Sequence, residues 1–254
     1  MDGAQTIREA VSKVFALRSE SVANPQLGSA IAEVKLFQAQ RFSKTYADIL
    51  GGGTYQRAAQ FFLEDLYGDK DYSHRDTQFS RIAGALQKLL PQQALATAVL
   101  LAKLHAMTEE LDHAMGFAWL ELRNASPTGG LQPGFVKMET TLRYLNAWRS
   151  VGRRDERRLQ LTSVLDIGRN LSRLTQTPGL RLMLKMMRRP ADAAGLGDLQ
   201  HFLESGFDTF AQMTKTKNAA PGFLALIEQR ETALMDNLFD APPDEMAARL
   251  ESGG

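Results

Sequence analysis

The chain has 254 residues, of which 44% are hydrophobic and 23% are charged, and it contains no cysteine. These values are typical of globular proteins and exclude a disulfide framework, a thiolate metal site and a cysteine nucleophile. The first ten residues lack the apolar core of a signal peptide. The densest apolar stretch, 94–104, is too short to cross a bilayer and is interrupted by Lys103. The composition therefore predicts a cytoplasmic protein that is not an integral membrane protein.

The net charge of +1 conceals an uneven distribution along the chain. The segment 143–189, which we call the basic segment, has twelve basic and three acidic residues, a net charge of +9. The rest of the chain then carries −8. Eleven of the twelve basic residues are arginines, which bind phosphate and carboxylate groups through paired hydrogen bonds. The basic segment therefore predicts contact with an anionic partner or ligand.

Helical patterns recur from one end of the chain to the other, whereas strand patterns are almost absent. Apolar spacing, capping residues and the positions of Gly and Pro predict helices over roughly 7–17, 25–50, 54–66, 73–89, 91–122, 135–150, 155–174, 178–188, 196–213 and 221–238. A short tail helix follows Pro242-Pro243. We therefore expect an all-α globule or bundle of about nine to ten helices.

The loop 124–134 contains Asn, Ser, two Pro and three Gly, and it is the best candidate for a boundary. The connections elsewhere are short, which favours a single helical domain over 1–254. The alternative is a division into two packed halves, 1–124 and 134–254, joined by this loop.

Two runs of sequence carry a resemblance to a family. They are FFLEDLYG at 61–68, continuing through His74-Arg75-Asp76, and AGLGDLQ at 194–200, continuing through FLE at 202–204. Both are similar to segments of uncharacterised, all-helical proteins of proteobacteria. The resemblance implies a bacterial cytoplasmic helical protein. It implies no activity and no site residues.

Acidic and histidine side chains recur on the long helix predicted over 91–122. His105, Glu109 and His113 share one helical stripe, and Glu110 with His113 forms the Glu-x-x-His unit of ferritin-like di-iron proteins. Asp198 and His201 have the same spacing, with Asp in place of Glu. One hypothesis is therefore a metal-binding protein or metal-dependent enzyme that holds iron, manganese or zinc through these two pairs.

That metal site would be formed by Glu110, His113, Asp198 and His201, and it would need two more glutamates from other helices. The alternative is that His105, Glu109 and Asp112 form a solvated face opposite the apolar seam of the same helix, because a charged stripe beside an apolar one is typical of amphipathic helices.

The arginines of the basic segment are spaced so that they align on helical faces. Arg158, Arg169 and Arg173 share one face of the helix predicted over 155–174. Arg181, Lys185 and Arg188 share a face of the next helix. These six residues are the predicted contact for an anionic ligand, an acidic protein or a polyanion. The alternative is a solvated surface that the acidic remainder of the chain neutralises.

Motifs of nucleophilic and phosphate-binding enzymes are missing from the sequence. It contains neither a Gly-x-Ser-x-Gly motif nor a Gly-Lys-Ser/Thr phosphate loop, and no catalytic residue is assigned. We therefore favour a non-enzymatic binding or regulatory protein over an enzyme. Self-association is compatible with a helical bundle, although no heptad pattern specifies it.

Overall fold

The computed structural model describes residues 2–66, 73–89, 92–125 and 133–252, and every regular element in these ranges is helical. The helices are α1 (Gly3–Ala23), α2 (Pro25–Thr45), α3 (Ala47–Leu50), α4 (Gln56–Phe61), α5 (Ser73–Leu89), α6 (Gln92–Ala125), α7 (Pro133–Val151), α8 (Arg154–Leu174), α9 (Leu180–Met186), α10 (Arg188–Ala193), α11 (Gly197–Met213), α12 (Ala219–Asp240) and α13 (Pro243–Ser252). The all-α prediction is confirmed. The chain has more helical segments than the nine to ten predicted, because short helices interrupt the predicted long ones.

Local signals set several of the helix ends. Asn24 ends α1 and caps α2, where its side chain accepts a hydrogen bond of 3.2 Å from the backbone N–H of Leu27. The predicted helix 178–188 corresponds to α9, and a further short helix, α10, follows it. Pro190 has no N–H to donate to the carbonyl of Met186, and Met186 is the last residue of α9. A π-helical turn, Phe62–Leu66, continues α4.

The long helix α6 is the centre of the fold. It packs against α1, α2, α7 and α8. α2 approaches it closely at Gly116, where a Cβ atom would lie 2.3 Å from Cγ1 of Ile31. Because helices surround it, α6 buries polar residues such as Glu109 and Asp112 as well as apolar ones such as Leu111.

The main hydrophobic cluster contains residues from both sides of the loop 124–134, including Val34, Trp119, Leu145 and Phe223. Most of that loop, residues 126–132, lies outside the described residues. The division into two halves at this loop stays a prediction. None of the helices in the described ranges is long and apolar enough to span a membrane.

Candidate functional site

A buried polar cluster joins α6 to three other helices. Glu109 is 8% exposed and accepts hydrogen bonds of 3.0 Å from Nη2 of Arg18 on α1 and from Nζ of Lys35 on α2. Arg18 also donates from Nη1 to Asp76 of α5, 2.8 Å away. Nε2 of His105 lies 2.8 Å from the same carboxylate oxygen of Asp76.

The interpretation of His105, Glu109 and Asp112 as a solvated face is therefore wrong. Glu109 and Asp112 are buried, and His105 is largely covered. The physical reason is that α1 and α2 pack on α6 and bring the cations Arg18 and Lys35 to Glu109, while α5 brings Asp76 to Arg18 and His105.

The two carboxyl groups of the cluster respond to burial in opposite ways. Burial pushes the pKa of Glu109 upward, but the charges of Lys35 and Arg18 outweigh it and hold the pKa below its ordinary value. Burial keeps the pKa of Asp112 above its ordinary value, and Lys35 and Arg157 only partly offset that effect. Asp112 accepts a hydrogen bond of 3.2 Å from Gln38 and lies 4.0 Å from Nζ of Lys35. The cluster thus favours the ionised form of Glu109 and the neutral form of Asp112.

A groove of about 560 Å³ opens beside this cluster, between α1, α2 and α6. It is lined by Phe15, Leu17, Arg18, Ser19, Ser21, Val22, Ala23, Gly28, Ile31, Lys35, Glu109 and His113. His113 is buried, and within the described part of the chain its Nε2 atom has no hydrogen-bond partner. The nearest carboxylate oxygen, Oε2 of Glu20, is 3.5 Å away, which is longer than an ordinary N–H···O bond.

An apolar cavity of about 120 Å³ lies under α9 and shares no lining residue with the groove. Its walls are Phe61, Phe62, Phe79, Ala94, Thr97, Ala98, Leu101, Leu104, Val164, Ile167, Gly168, Leu171, Leu174, Leu180, Leu184, Phe202, Leu203, Gly206, Phe207 and Phe210. Phe62 begins the π-helical turn, and such turns are frequent at functional sites. The lining is almost entirely carbon, so the cavity suits an apolar group and not water.

The predicted anion-binding arginines are exposed, and several pair with acidic side chains of α11 and α12. Arg181 lies 3.0 Å from Asp208, and Nε of Arg188 donates to Glu204 over 2.8 Å. On α8, Arg158 pairs with Asp236 at 3.4 Å. Arg169 pairs with Asp166 at 2.9 Å and with Glu228 at 3.5 Å. Arg173 donates a hydrogen bond of 3.3 Å to the side chain of Asn170. Lys185 is exposed on α9. These contacts agree with neutralisation inside the protein, and an anionic partner stays a prediction.

One arginine of the basic segment is not on the surface. Arg157 is buried, and its guanidinium lies 4.1 Å from the ring centroid of Trp148. A charged group over an aromatic face forms a cation–π contact. The position of Arg157 shows that local charge density does not by itself identify surface residues.

The four predicted metal ligands face different neighbours. Glu110 pairs with Lys13 and with Arg153, the latter at 3.1 Å. Asp198 hydrogen-bonds to Nδ1 of His74, and His201 is exposed on α11. Within the residues that the structure describes, no three His, Asp or Glu side chains are placed to hold a metal ion. Glu110, His113, Asp198 and His201 therefore do not form one site in this structure.

Residues 17–245 match the model of a protein family described as a domain of unknown function, DUF8198. The chain belongs to this family. The match includes both runs, 61–76 and 194–204, on which the resemblance to uncharacterised proteins rests, and that resemblance is confirmed. Comparison with curated proteins and with solved structures found no match.

The DUF8198 region includes most of the groove and all of the apolar cavity. Sequence reasoning missed both features. The stripe of His105, Glu109 and His113 lies on the helix that forms the floor of the groove, but its residue types and spacing predict metal ligands or a solvated face. Nothing in the local sequence indicated the cavity, because empty space between helices depends on how distant segments pack.

Proposed function

We propose that this protein is a non-enzymatic binding protein for an anionic amphiphile. The apolar part of the ligand enters the cavity under α9, and its anionic group contacts the basic residues of α9 and α10. The observation that supports the proposal is the double character of α9. Leu180 and Leu184 line the cavity, while Arg181 and Lys185 of the same short helix are exposed.

The size of the cavity limits the apolar part of the ligand. An apolar cavity of about 150 Å³ in another protein binds benzene, so a cavity of about 120 Å³ suits one small ring or a short acyl chain. Two glycines allow the walls of the cavity to pack closely. At Gly206, a Cβ atom would lie 3.1 Å from Cζ of Phe61, which also lines the cavity, and at Gly168 it would lie 2.5 Å from Cδ2 of Leu224, which lies behind the wall.

The outer face of α9 and the start of α10 combine exposed apolar and basic residues. Leu182 and Met186 are 63% and 70% exposed, and Met187 is also exposed. Large apolar side chains on a surface often mark a binding site when they cluster. Arg181 pairs with Asp208 across a contact in which Arg181 is 56% exposed, and exposed pairs of this kind contribute only about 0–1 kcal/mol. An anionic group can therefore take the place of Asp208 at little cost. Arg188 binds Glu204 through more than one hydrogen bond and keeps this partner while it adds positive charge nearby.

The three predicted contact arginines of α8 extend the positive charge beyond α9 and α10. Arg158, Arg169 and Arg173 are exposed there. They would add long-range attraction for the anion, and that attraction weakens with salt. Arg181, Lys185 and Arg188 make the principal contact, because they lie on α9, which lines the cavity through Leu180 and Leu184, and at the start of α10.

The test is a calorimetric titration with hexanoate and, separately, with hexanol, which has the same chain without the charge. The double variant Arg181→Gln/Lys185→Gln should bind hexanoate about three- to tenfold more weakly at low salt and hexanol almost unchanged. The matched control is Lys215→Gln/Lys217→Gln, which removes two exposed charges from the turn before α12. Filling the cavity with Ala98→Leu should weaken both ligands.

Two results would contradict the proposal. One is equal hexanoate affinity in the double variant and in its lysine control. The other is binding of fluorescent nucleic acid or anionic vesicles at low salt by a protein that does not bind hexanoate, which would identify a polyanion as the partner.

A further inference from the structure

The groove between α1, α2 and α6 has the dimensions of a small-molecule site. Its volume of about 560 Å³ lies within the range of about 300–1,000 Å³ that is common for ligand pockets. The single residue Asn24 joins α1 to α2, so the two helices diverge from one corner. Gly28 lets them approach there, because a Cβ atom at this position would lie 3.0 Å from the carbonyl oxygen of Ser21.

The upper walls of the groove are apolar and exposed. Phe15 and Val22 are 37% and 81% exposed, and Ile31, which also lines the groove, is half-buried. Phe117, also exposed, places its ring edge-on to the imidazole of His113, with 5.0 Å between the centroids. Phe15 and Val22, which line the groove, offer an apolar ligand contact area that the protein itself leaves in water.

The charged groups at the floor satisfy one another. Glu109 binds both Arg18 and Lys35. His113 is different, because its Nε2 atom is buried and has no hydrogen-bond partner among the described residues. Glu20 is 3.5 Å away with a side chain that is 56% exposed to water. A buried polar atom without a partner is rare, and a bound ligand is one way to supply the partner.

The chemistry of the groove defines the class of ligand. Arg18 binds Glu109 and Asp76, and Lys35 binds Glu109, so both cations of the groove are already paired with buried carboxylates and the groove does not favour a charged ligand. An imidazole nitrogen donates or accepts according to its tautomer, and a hydroxyl group can match either state. An apolar body with one hydroxyl therefore complements the apolar walls and His113 together.

We propose that this groove binds a small, uncharged, hydroxylated apolar molecule of the phenol or alcohol class, with the hydroxyl group hydrogen-bonded to Nε2 of His113. The site is independent of the cavity under α9, since the two have no lining residue in common.

The test compares 2-naphthol with naphthalene, which has the same fused rings without the hydroxyl. Two fused rings exceed the single small ring that suits the cavity under α9, so both probes report on the groove. The protein has four histidines, so the ¹⁵N signals of their imidazoles can be assigned individually. Saturating 2-naphthol should shift the signals of His113 and leave those of the exposed His201 in place.

The variant His113→Leu should reduce the ratio of naphthol affinity to naphthalene affinity by about three- to tenfold, which corresponds to the loss of one hydrogen bond. His201→Leu is the matched control and should leave the ratio unchanged. Glu20→Gln should also preserve the preference for naphthol, and Val22→Asp should weaken both probes. Arg181→Gln/Lys185→Gln should have no effect on either, which separates this site from the proposed function.

An unchanged ratio in His113→Leu would overturn the proposal, as would naphthol binding that shifts no His113 signal. Absence of naphthol binding up to its solubility limit, or loss of the preference in Glu20→Gln, would overturn it as well. If His113→Leu fails to fold, the ¹⁵N experiment on the unmodified protein decides the question alone.

Discussion

Replacing Glu109 with Gln tests whether the polar cluster holds α1, α2 and α6 together. The carboxylate is buried and binds both Arg18 and Lys35, whereas Gln is uncharged and keeps a single acceptor oxygen. Removing one partner of a buried ion pair costs about 3–5 kcal/mol. Arg18 keeps Asp76 at 2.8 Å, and Lys35 keeps Asp112 at 4.0 Å. We therefore expect the lower end of this range, about 3 kcal/mol, or a decrease of roughly 6–12 °C in Tm.

Thermal and urea unfolding followed by circular dichroism at pH 7 would measure this loss. The control is Glu121→Gln on the exposed side of the same helix, which should change the free energy of unfolding by less than about 0.5 kcal/mol. Because the folded-state pKa of Glu109 is lowered, its contribution is present above the unfolded-state pKa of about 4.3 and is lost as the pH falls through the folded-state value. The difference between the two proteins should therefore narrow below about pH 4. A loss at pH 7 no larger than that of Glu121→Gln would refute the reasoning.

Three further predictions concern the same helices. Asp112→Asn should not lower Tm at pH 7, because the raised folded-state pKa of Asp112 shows that the fold favours the neutral carboxyl group. The unmodified protein loses stability as the pH rises through that pKa, whereas Asn stays neutral. Thermal scans at a series of pH values should therefore show a Tm difference in favour of the variant that disappears at acid pH. Gly116→Ala should cost about 1–3 kcal/mol in urea unfolding. Gly84→Ala, whose Cβ would lie at an ordinary contact distance of 3.4 Å from Nη2 of Arg8, should instead stabilise α5 by up to about 1 kcal/mol. Circular dichroism should show a spectrum dominated by helix, and a strand content above roughly one tenth would contradict the all-α assignment.

Helix positions were predictable where the signals are local. The prediction 155–174 matches α8 to within one residue, and 196–213 and 221–238 match α11 and α12 to within two. Apolar spacing and the turn residues between these helices act within a few residues of each end. The break between α2 and α3 was not predicted, because the apolar pattern continues across it. The short helix α10 was not predicted either, because Pro190 is typical of a turn.

The polar cluster was not predictable in the same way. An amphipathic pattern assigns a charged stripe to water, but α6 has neighbours on nearly every side. Arg18 and Asp76 are 58 residues apart in sequence, and Arg18 and Glu109 are 91 apart, so no local window contains both partners. The basic segment illustrates the same limit. Its charge excess is visible in sequence, whereas its pairing with Asp208 and Glu204 depends on how α9 and α10 dock on α11.

The central position of α6 has a consequence for synthesis. Lys35 and Glu109 are separated by 74 residues, and Arg18 and Glu109 by 91. At about 5–20 residues per second, the ribosome adds α6 roughly 4–18 seconds after the helices that pack against it. During that interval the apolar residues Ile7, Val11 and Val14 of α1 and the cations of α1 and α2 have no partner from α6. The nascent amino-terminal helices must stay hydrated or be held by a chaperone until the helix that organises them leaves the ribosome.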